Sequence, residues 1–161
     1  MMMKIKLLIL VIVVLCLIGC TTQEDVFSKP KVEDFELKLY ANRTGNLIKF
    51  HLMLTYNGSR PCQIYYGHIH PFRVEIYRDN TLIAILPNVT LDVLKIKTMQ
   101  PHESISIDLL YPAKKGVYRA VAYAELAFEN PIKCYQLKKI KKTKEICLKR
   151  IYSNEITVVV N

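Results

Sequence analysis

Leu47-Ile48-Lys49-Phe50-His51-Leu52-Met53-Leu54-Thr55, followed by Tyr56-Asn57-Gly58, decides the fold class. Ile48, Phe50, Leu52 and Leu54 occupy every second position and alternate with Lys49, His51, Met53 and Thr55. Successive side chains of a strand point to opposite faces, so this spacing is that of a strand with one dry face, and Asn57-Gly58 is a turn signal that ends it. The same period recurs in both directions along the chain. Upstream, Phe35, Leu37 and Leu39 alternate with Glu36, Lys38 and Tyr40. Downstream, Phe72, Val74 and Ile76 alternate with Arg73, Glu75 and Tyr77, and Asp79-Asn80 supplies a tight turn into a strand over 81–86. Ile105, Ile107 and Leu109 alternate with Ser104, Ser106 and Asp108. Tyr118, Ala120, Ala122 and Ala124 oppose Val117, Arg119, Val121 and Tyr123, and a last strand covers 156–160. Tyr123 fits either face. About seven strands result, with no amphipathic helix longer than ten residues. Antiparallel sheets with one apolar face each must bury those faces together, which predicts an all-β, immunoglobulin-like antiparallel sandwich.

The first 20 residues do not share this pattern. Lys4 and Lys6 are the charges of a basic start, residues 7–18 are all apolar, and Leu17-Ile18-Gly19-Cys20 closes the run. The apolar stretch has the length of a signal-peptide core and is short for a spanning helix. Leu17-Ile18-Gly19-Cys20 resembles the lipobox of prokaryotic lipoproteins. That resemblance implies acylation of the Cys20 thiol, palmitate-like chains in the membrane, and cleavage before Cys20. The expected organisation is a lipoprotein signal peptide over 1–19, a lipidated N-terminus and flexible tether over 20–31, and the sandwich over 32–161 with a basic hairpin insertion at about 131–151. The expected location is the cell membrane, lipid-anchored and facing outside the cytoplasm.

Charge follows the same division. The chain carries 23 basic and 14 acidic residues, a formal +9. Lys4 and Lys6 leave with the signal. Lys133, Lys138, Lys139, Lys141, Lys142, Lys144, Lys149 and Arg150 stand against Glu145 alone, and the rest of the mature chain is neutral. The basicity is therefore one local patch. Lys138, Lys139, Lys141, Lys142 and Lys144 are candidates for contact with an anionic surface polymer, anionic lipid headgroups or another surface protein. The plainer and preferred reading is a charged hairpin that keeps a sheet edge soluble. Nucleic acid is the least expected partner, because the body faces outside.

In an oxidising location the remaining Cys62, Cys134 and Cys147 tend to pair. Cys134 and Cys147 flank residues 135–146 at the arms of the insertion, and a disulfide there would contribute roughly 3 kcal/mol by chain entropy. Cys62 then stays free or displaces one of them. His68 and His70, at i and i+2 in Gly67-His68-Ile69-His70-Pro71, are weak candidates for a metal, with His51 as a third ligand. Two exposed polar residues beside Pro71 are the preferred reading, and no metal or other cofactor is expected. Three sequons occur at expected turns, over 42–44, 57–59 and 88–90. No Gly-x-Ser-x-Gly, His-Glu-x-x-His or glycine-rich phosphate loop occurs, and Asp108, Glu125 and Glu129 show no partner spacing, so an enzyme is not expected.

Met99-Gln100-Pro101-His102-Glu103-Ser104, a following alternating strand, and Lys115-Gly116-Val117-Tyr118-Arg119-Ala120 carry a family resemblance. They are similar to the proline-glycine-glutamate and glycine-x-tyrosine pattern of bacterial immunoglobulin-like domains, in particular the Bacillus intracellular proteinase inhibitor family. The match spans roughly residues 47–123 and departs at Gln100 and His102, where that family prefers proline and glycine. It implies the sandwich fold. Physically, Gly116 turns the chain, and Tyr118 is expected to bury its ring and tie its hydroxyl to backbone at a corner. The resemblance also implies the alternative function, inhibition of a protease through an exposed loop. The leading expectation is a non-catalytic, membrane-anchored surface lipoprotein acting as a binding or assembly module.

Overall fold

The computed structural model describes residues 27–88, 93–132 and 148–161. Among them the chain forms a short 3₁₀ turn, Val32–Asp34, and nine strands: β1 Phe35–Thr44, β2 Leu47–Tyr56, β3 Cys62–Gly67, β4 Phe72–Arg78, β5 Thr81–Leu86, β6 Leu94–Met99, β7 Ser104–Pro112, β8 Gly116–Leu126 and β9 Lys149–Val160. All strand pairs are antiparallel. One sheet has the order β1-β2-β7, the other β5-β4-β8-β9, and β3-β6 forms a small third sheet.

The two larger sheets face each other as an immunoglobulin-like sandwich. Leu39, Phe50, Leu52 and Leu54 from the first, and Phe72, Val74 and Ile76 from the second, are all buried in one cluster. Ala120, Ala122 and Ala124 form the buried face of β8, and their small side chains leave room for the bulky residues opposite. Burying one Leu or Phe of this core is worth about 1.5–3 kcal/mol, which is why the period-two spacing is so strong in β1, β2 and β4. Turn chemistry sets the registers. Gly45 (φ 59°) opens the β1-β2 hairpin, and Asp79 and Asn80 (φ 50° and 61°) form the two-residue β4-β5 turn, the backbone that a tight hairpin demands.

The seven expected strands are all present, and β3 and β6 are added. In β6 the alternation is turned inside out. Leu94 and Ile96 are exposed (Ile96 60%), while Lys95 and Lys97 lie half-buried on the other face. Local pattern does not decide that face, because β6 pairs only with β3 and its place is set by the buried Cys62–Met99 pair at its end. β8 shows a similar preference of context over residue type, with Val117 outside and the alanines inside.

The folded body begins before the expected boundary at 32. The Ser28 N–H donates to the Pro61 carbonyl (2.8 Å), Ser28 bridges to Cys62, and Pro30 is buried, so the last part of the expected tether belongs to the domain. At the other end, Lys149 and Arg150 of the expected insertion belong to β9, paired to Leu126 and Glu125. The Asn42 sequon lies within β1 and not at a turn, because β1 runs on to Thr44. Cys20, Cys134, Cys147, Lys138, Lys139, Lys141, Lys142 and Lys144 lie outside the described residues.

Candidate binding face and the turn beside it

On the outer face of β5-β4-β8-β9, arginines, acids and tyrosines from three strands occupy outward positions. Register places Arg73 of β4 across from Tyr123 of β8 and, through it, Tyr152 of β9. Glu75 lies across from Val121 and Glu155, and Tyr77 across from Arg119 and Thr157. The groups couple in two bands. In the first, the Tyr77 hydroxyl donates to Glu75 Oε2 (2.6 Å), the Arg119 guanidinium lies 4.5 Å from the Tyr77 ring centroid, and Arg119 Nη1 pairs with Glu155 Oε2 (2.8 Å). The Glu75 carboxylate raises the Tyr77 phenol by accepting that bond. In the second, Arg150 lies 4.7 Å from the Tyr123 ring and donates to Glu125 Oε1 (2.9 Å), while Tyr123 and Tyr152 stand 5.8 Å apart. Hydrogen bonds to Tyr152 and Glu125 hold the Arg150 guanidinium well above its ordinary value, and it stays charged. Tyr152 is 58% exposed, with Val159, Val117 and Leu82 exposed on the same sheet. Rigid arginines and tyrosines of this kind are the residues that dominate protein interfaces.

Arg73 differs from the other two arginines. Only 7% exposed, it makes no ion pair among the described residues, and its Nη1, like Arg119 Nε, is buried with no hydrogen-bond partner. Beside it the β3-β4 turn carries His70, whose Nδ1 accepts from the Phe72 N–H (3.3 Å). That bond leaves the ring proton on Nε2. Burial lowers the His70 imidazole below its ordinary value, and the positive charges of Arg73, His68 and Lys95 lower it further. Lys95 Nζ donates to the Ile69 carbonyl (3.4 Å), which ties β6 to the turn.

Arg73, His68 and Lys95 thus act on His70 as positive charges. No group of three His, Cys, Asp or Glu gathers among the described residues. His51 is not a third ligand. It lies on the outer face of the other sheet, where its Nδ1 meets Asp108 Oδ1 (2.7 Å) and Lys49 Nζ pairs with Asp108 Oδ2 (2.8 Å). The bonds from Lys49 and then His51 hold Asp108 below the usual carboxylate range. Asp108 and Glu125 therefore do have partners, supplied by neighbouring strands and not by sequence spacing. Cys62 is a free, buried thiol pushed up by burial. Tyr118 lies as a corner tyrosine should, with its ring 2% exposed and its hydroxyl donating to the Lys114 carbonyl (2.7 Å).

The sequence reading missed Arg73, Arg119, Arg150 and Tyr152. A signal was present, since arginine and tyrosine share the outward positions of Arg73–Tyr77, Arg119–Tyr123 and Arg150–Tyr152. What hid it is that strand period tells which residues share a face and nothing about which strands lie side by side.

No family model matches the chain, and no curated protein matches it. Among solved structures, it is similar to the crystal structure of a penta-heme cytochrome c552 from Thermochromatium tepidum, at 12% identity and a TM-score of 0.48. The match covers 79% of this chain and spans 40% of the length of that one, a likeness too low to carry a functional argument.

Proposed function

We propose that this protein is a non-catalytic surface lipoprotein, anchored by lipid at Cys20 and facing outside the cytoplasm, whose sandwich binds another surface component. The observation that carries the binding part is the outer face of β5-β4-β8-β9, where Arg119 lies on the Tyr77 ring and Arg150 lies on the Tyr123 ring next to the exposed Tyr152. Ring and guanidinium are already ordered against each other, so a partner meeting this face costs little side-chain entropy. The anchoring part rests on Leu17-Ile18-Gly19-Cys20 after an apolar run. Two or more acyl chains hold a protein durably, whereas one does so only reversibly.

Two measurements test it. A photo-reactive residue placed at Tyr152 in intact cells gives a discrete crosslinked adduct, and the same residue at Tyr40 on the opposite sheet does not. Equal labelling at both positions, or none, removes the binding face. Cys20→Ser releases the chain from the membrane fraction, and fatty-acid labelling that persists in this variant would show that the attachment lies elsewhere. Inhibition of a protease in a panel assay of the full chain would turn the reading toward the inhibitor family that Pro101, Gly116 and Tyr118 resemble.

A further inference from the structure

The small β3-β6 sheet has one face in the core and one face outside. Cys62, Ile64, Tyr66 and Met99 are buried on the inner side. Register sets the outer side: Tyr65 lies across from Ile96, Gly67 from Leu94 and Gln63 from Thr98, and residues directly opposite in an antiparallel pair share a face. None of these six residues is charged. Ile96 and Leu94 are exposed there, while both lysines of β6, Lys95 and Lys97, belong to the other face. The apolar surface continues at the end of the sheet, where the exposed Ile69 accepts from Lys95 Nζ at its carbonyl (3.4 Å) and the exposed Val93 accepts from the His68 N–H (3.0 Å). A sheet that keeps one face in water ordinarily turns its polar residues outward, and β6 does the reverse.

The point where the chain enters the domain indicates what covers this face. Ser28 donates its N–H to the Pro61 carbonyl (2.8 Å) and bridges to Cys62, the first residue of β3, with the exposed Phe27 just before it. Cys20 precedes Ser28 by eight residues. An extended chain spans at most about 3.6 Å per residue, so a lipid on Cys20 is held within about 30 Å of the start of β3. Tyr65 lies three residues along β3 and Gly67 five, about 10 and 17 Å from that start. The whole face is therefore nearer to Ser28 than the tether is long. An anchor that short holds the domain at high effective concentration against the bilayer surface, where an uncharged apolar face with an amphipathic tyrosine is favoured.

We infer that the outer face of β3-β6, with Tyr65, Leu94 and Ile96 at its centre, docks on the lipid bilayer that holds the acyl chains of Cys20. The inference rests on the lipid anchor proposed above and adds to it a second, non-covalent contact with the same membrane. The other exposed apolar pair, Val117 and Val159, does not share this contact. Ala127 pairs with Tyr65, and Val117 stands ten residues back along β8, about 30 Å away.

The chain has no tryptophan, so one introduced tryptophan is a unique reporter. The full lipidated chain carrying Ile96→Trp, and separately Val117→Trp, is reconstituted through its own anchor into phosphatidylcholine and phosphatidylglycerol vesicles, with and without bromine on the acyl chains. Flotation reads the anchor, and bromine quenching reads the docking. Both variants are expected to float, with the Ile96→Trp emission shifted to the blue and quenched several-fold more strongly than that of Val117→Trp. Adding Leu94→Glu brings the quenching down to the Val117→Trp level with circular dichroism unchanged. Leu94→Trp is a second reporter on the same face should Ile96→Trp fail to fold. Chains that float but show equal quenching at both positions, or none, overturn the docking and leave the anchor intact. Chains that do not float remove the anchor and the docking with it. A discrete protein adduct from a photo-reactive residue at Ile96 in cells, without bromine quenching, assigns the face to a protein partner and overturns the docking as well.

Discussion

The Asn154 side chain of β9 pairs with Leu39 of β1 as a second peptide would: the Leu39 N–H donates to Asn154 Oδ1 (3.0 Å), and Asn154 Nδ2 donates to the Leu39 carbonyl (3.0 Å). The two residues are 115 apart in sequence and belong to different sheets. One amide thus satisfies a backbone donor and acceptor at the open edge of β1, where an unpaired pair would be costly. Asn154→Ala is expected to lower stability by about 1–3 kcal/mol. Asn154→Asp loses more at neutral pH, because a carboxylate then faces the Leu39 carbonyl. Urea midpoints read both, and an Asp variant as stable as wild type would show that the pairing contributes nothing.

His102 occupies the position of the Gln100-Pro101-His102-Glu103 turn that needs a left-handed backbone, with φ 63°, and the turn closes by the Glu103 N–H donating to the Gln100 carbonyl (3.0 Å). A non-glycine residue is strained there, and glycine is not. His102→Gly is expected to stabilise by up to about 1 kcal/mol, the strain relieved minus the added freedom of the unfolded chain. A lowered Tm would mean that the His102 side chain makes a contribution its backbone conceals.

Tyr56 closes the β2-β3 corner. Its ring is buried, its hydroxyl donates to the Arg60 carbonyl (2.7 Å), and Ser28 Oγ lies 2.9 Å away. Gly58 lies directly against that ring, so a Cβ there would overlap Tyr56. Gly58→Ala is expected to cost about 1–3 kcal/mol by overpacking, and Tyr56→Phe about 1–2 kcal/mol through the lost hydrogen bond. The double variant should cost less than the sum, because both changes act on one corner. Thermal denaturation of the four proteins measures that coupling, and strict additivity would count against the shared contact.

Tyr118→Phe tests the other corner. It removes the bond to the Lys114 carbonyl while keeping the ring's packing, and should lower stability by about 1–2 kcal/mol with the fold unchanged by circular dichroism.

Stability should fall in two acid steps. The lowered native value of His70 means that the unfolded chain takes up a proton more readily than the folded one. Its contribution is therefore intact above the ordinary histidine value of about 6.5, and is lost as pH drops from there toward the lowered native value. Glu103 is lowered chiefly by the bond from Lys97 and next by the Gln100 N–H, so its contribution survives to the ordinary carboxylate range and is lost as pH falls through its depressed native value. His70→Gln should flatten the first step and leave the second. An unchanged slope near neutrality would rule out the burial of that ring as its cause.

Much of this was legible in the residues themselves. The alternating apolar positions of β1, β2 and β4, the end of β2 before Asn57-Gly58, the turn at Asp79-Asn80, and the tied Tyr118 follow from period, turn chemistry and one corner motif, all of them local. Strands β3 and β6 did not show themselves, because Cys62, Ile64 and Tyr66 alternate weakly and Leu94 and Ile96 face out. Only the tertiary structure decided that Arg73 is enclosed, that Arg119 and Arg150 meet their acids, and that Asn154 reaches Leu39. A side chain's face is set by its neighbours in sequence, but its burial and its partners are set by strands brought together from far along the chain.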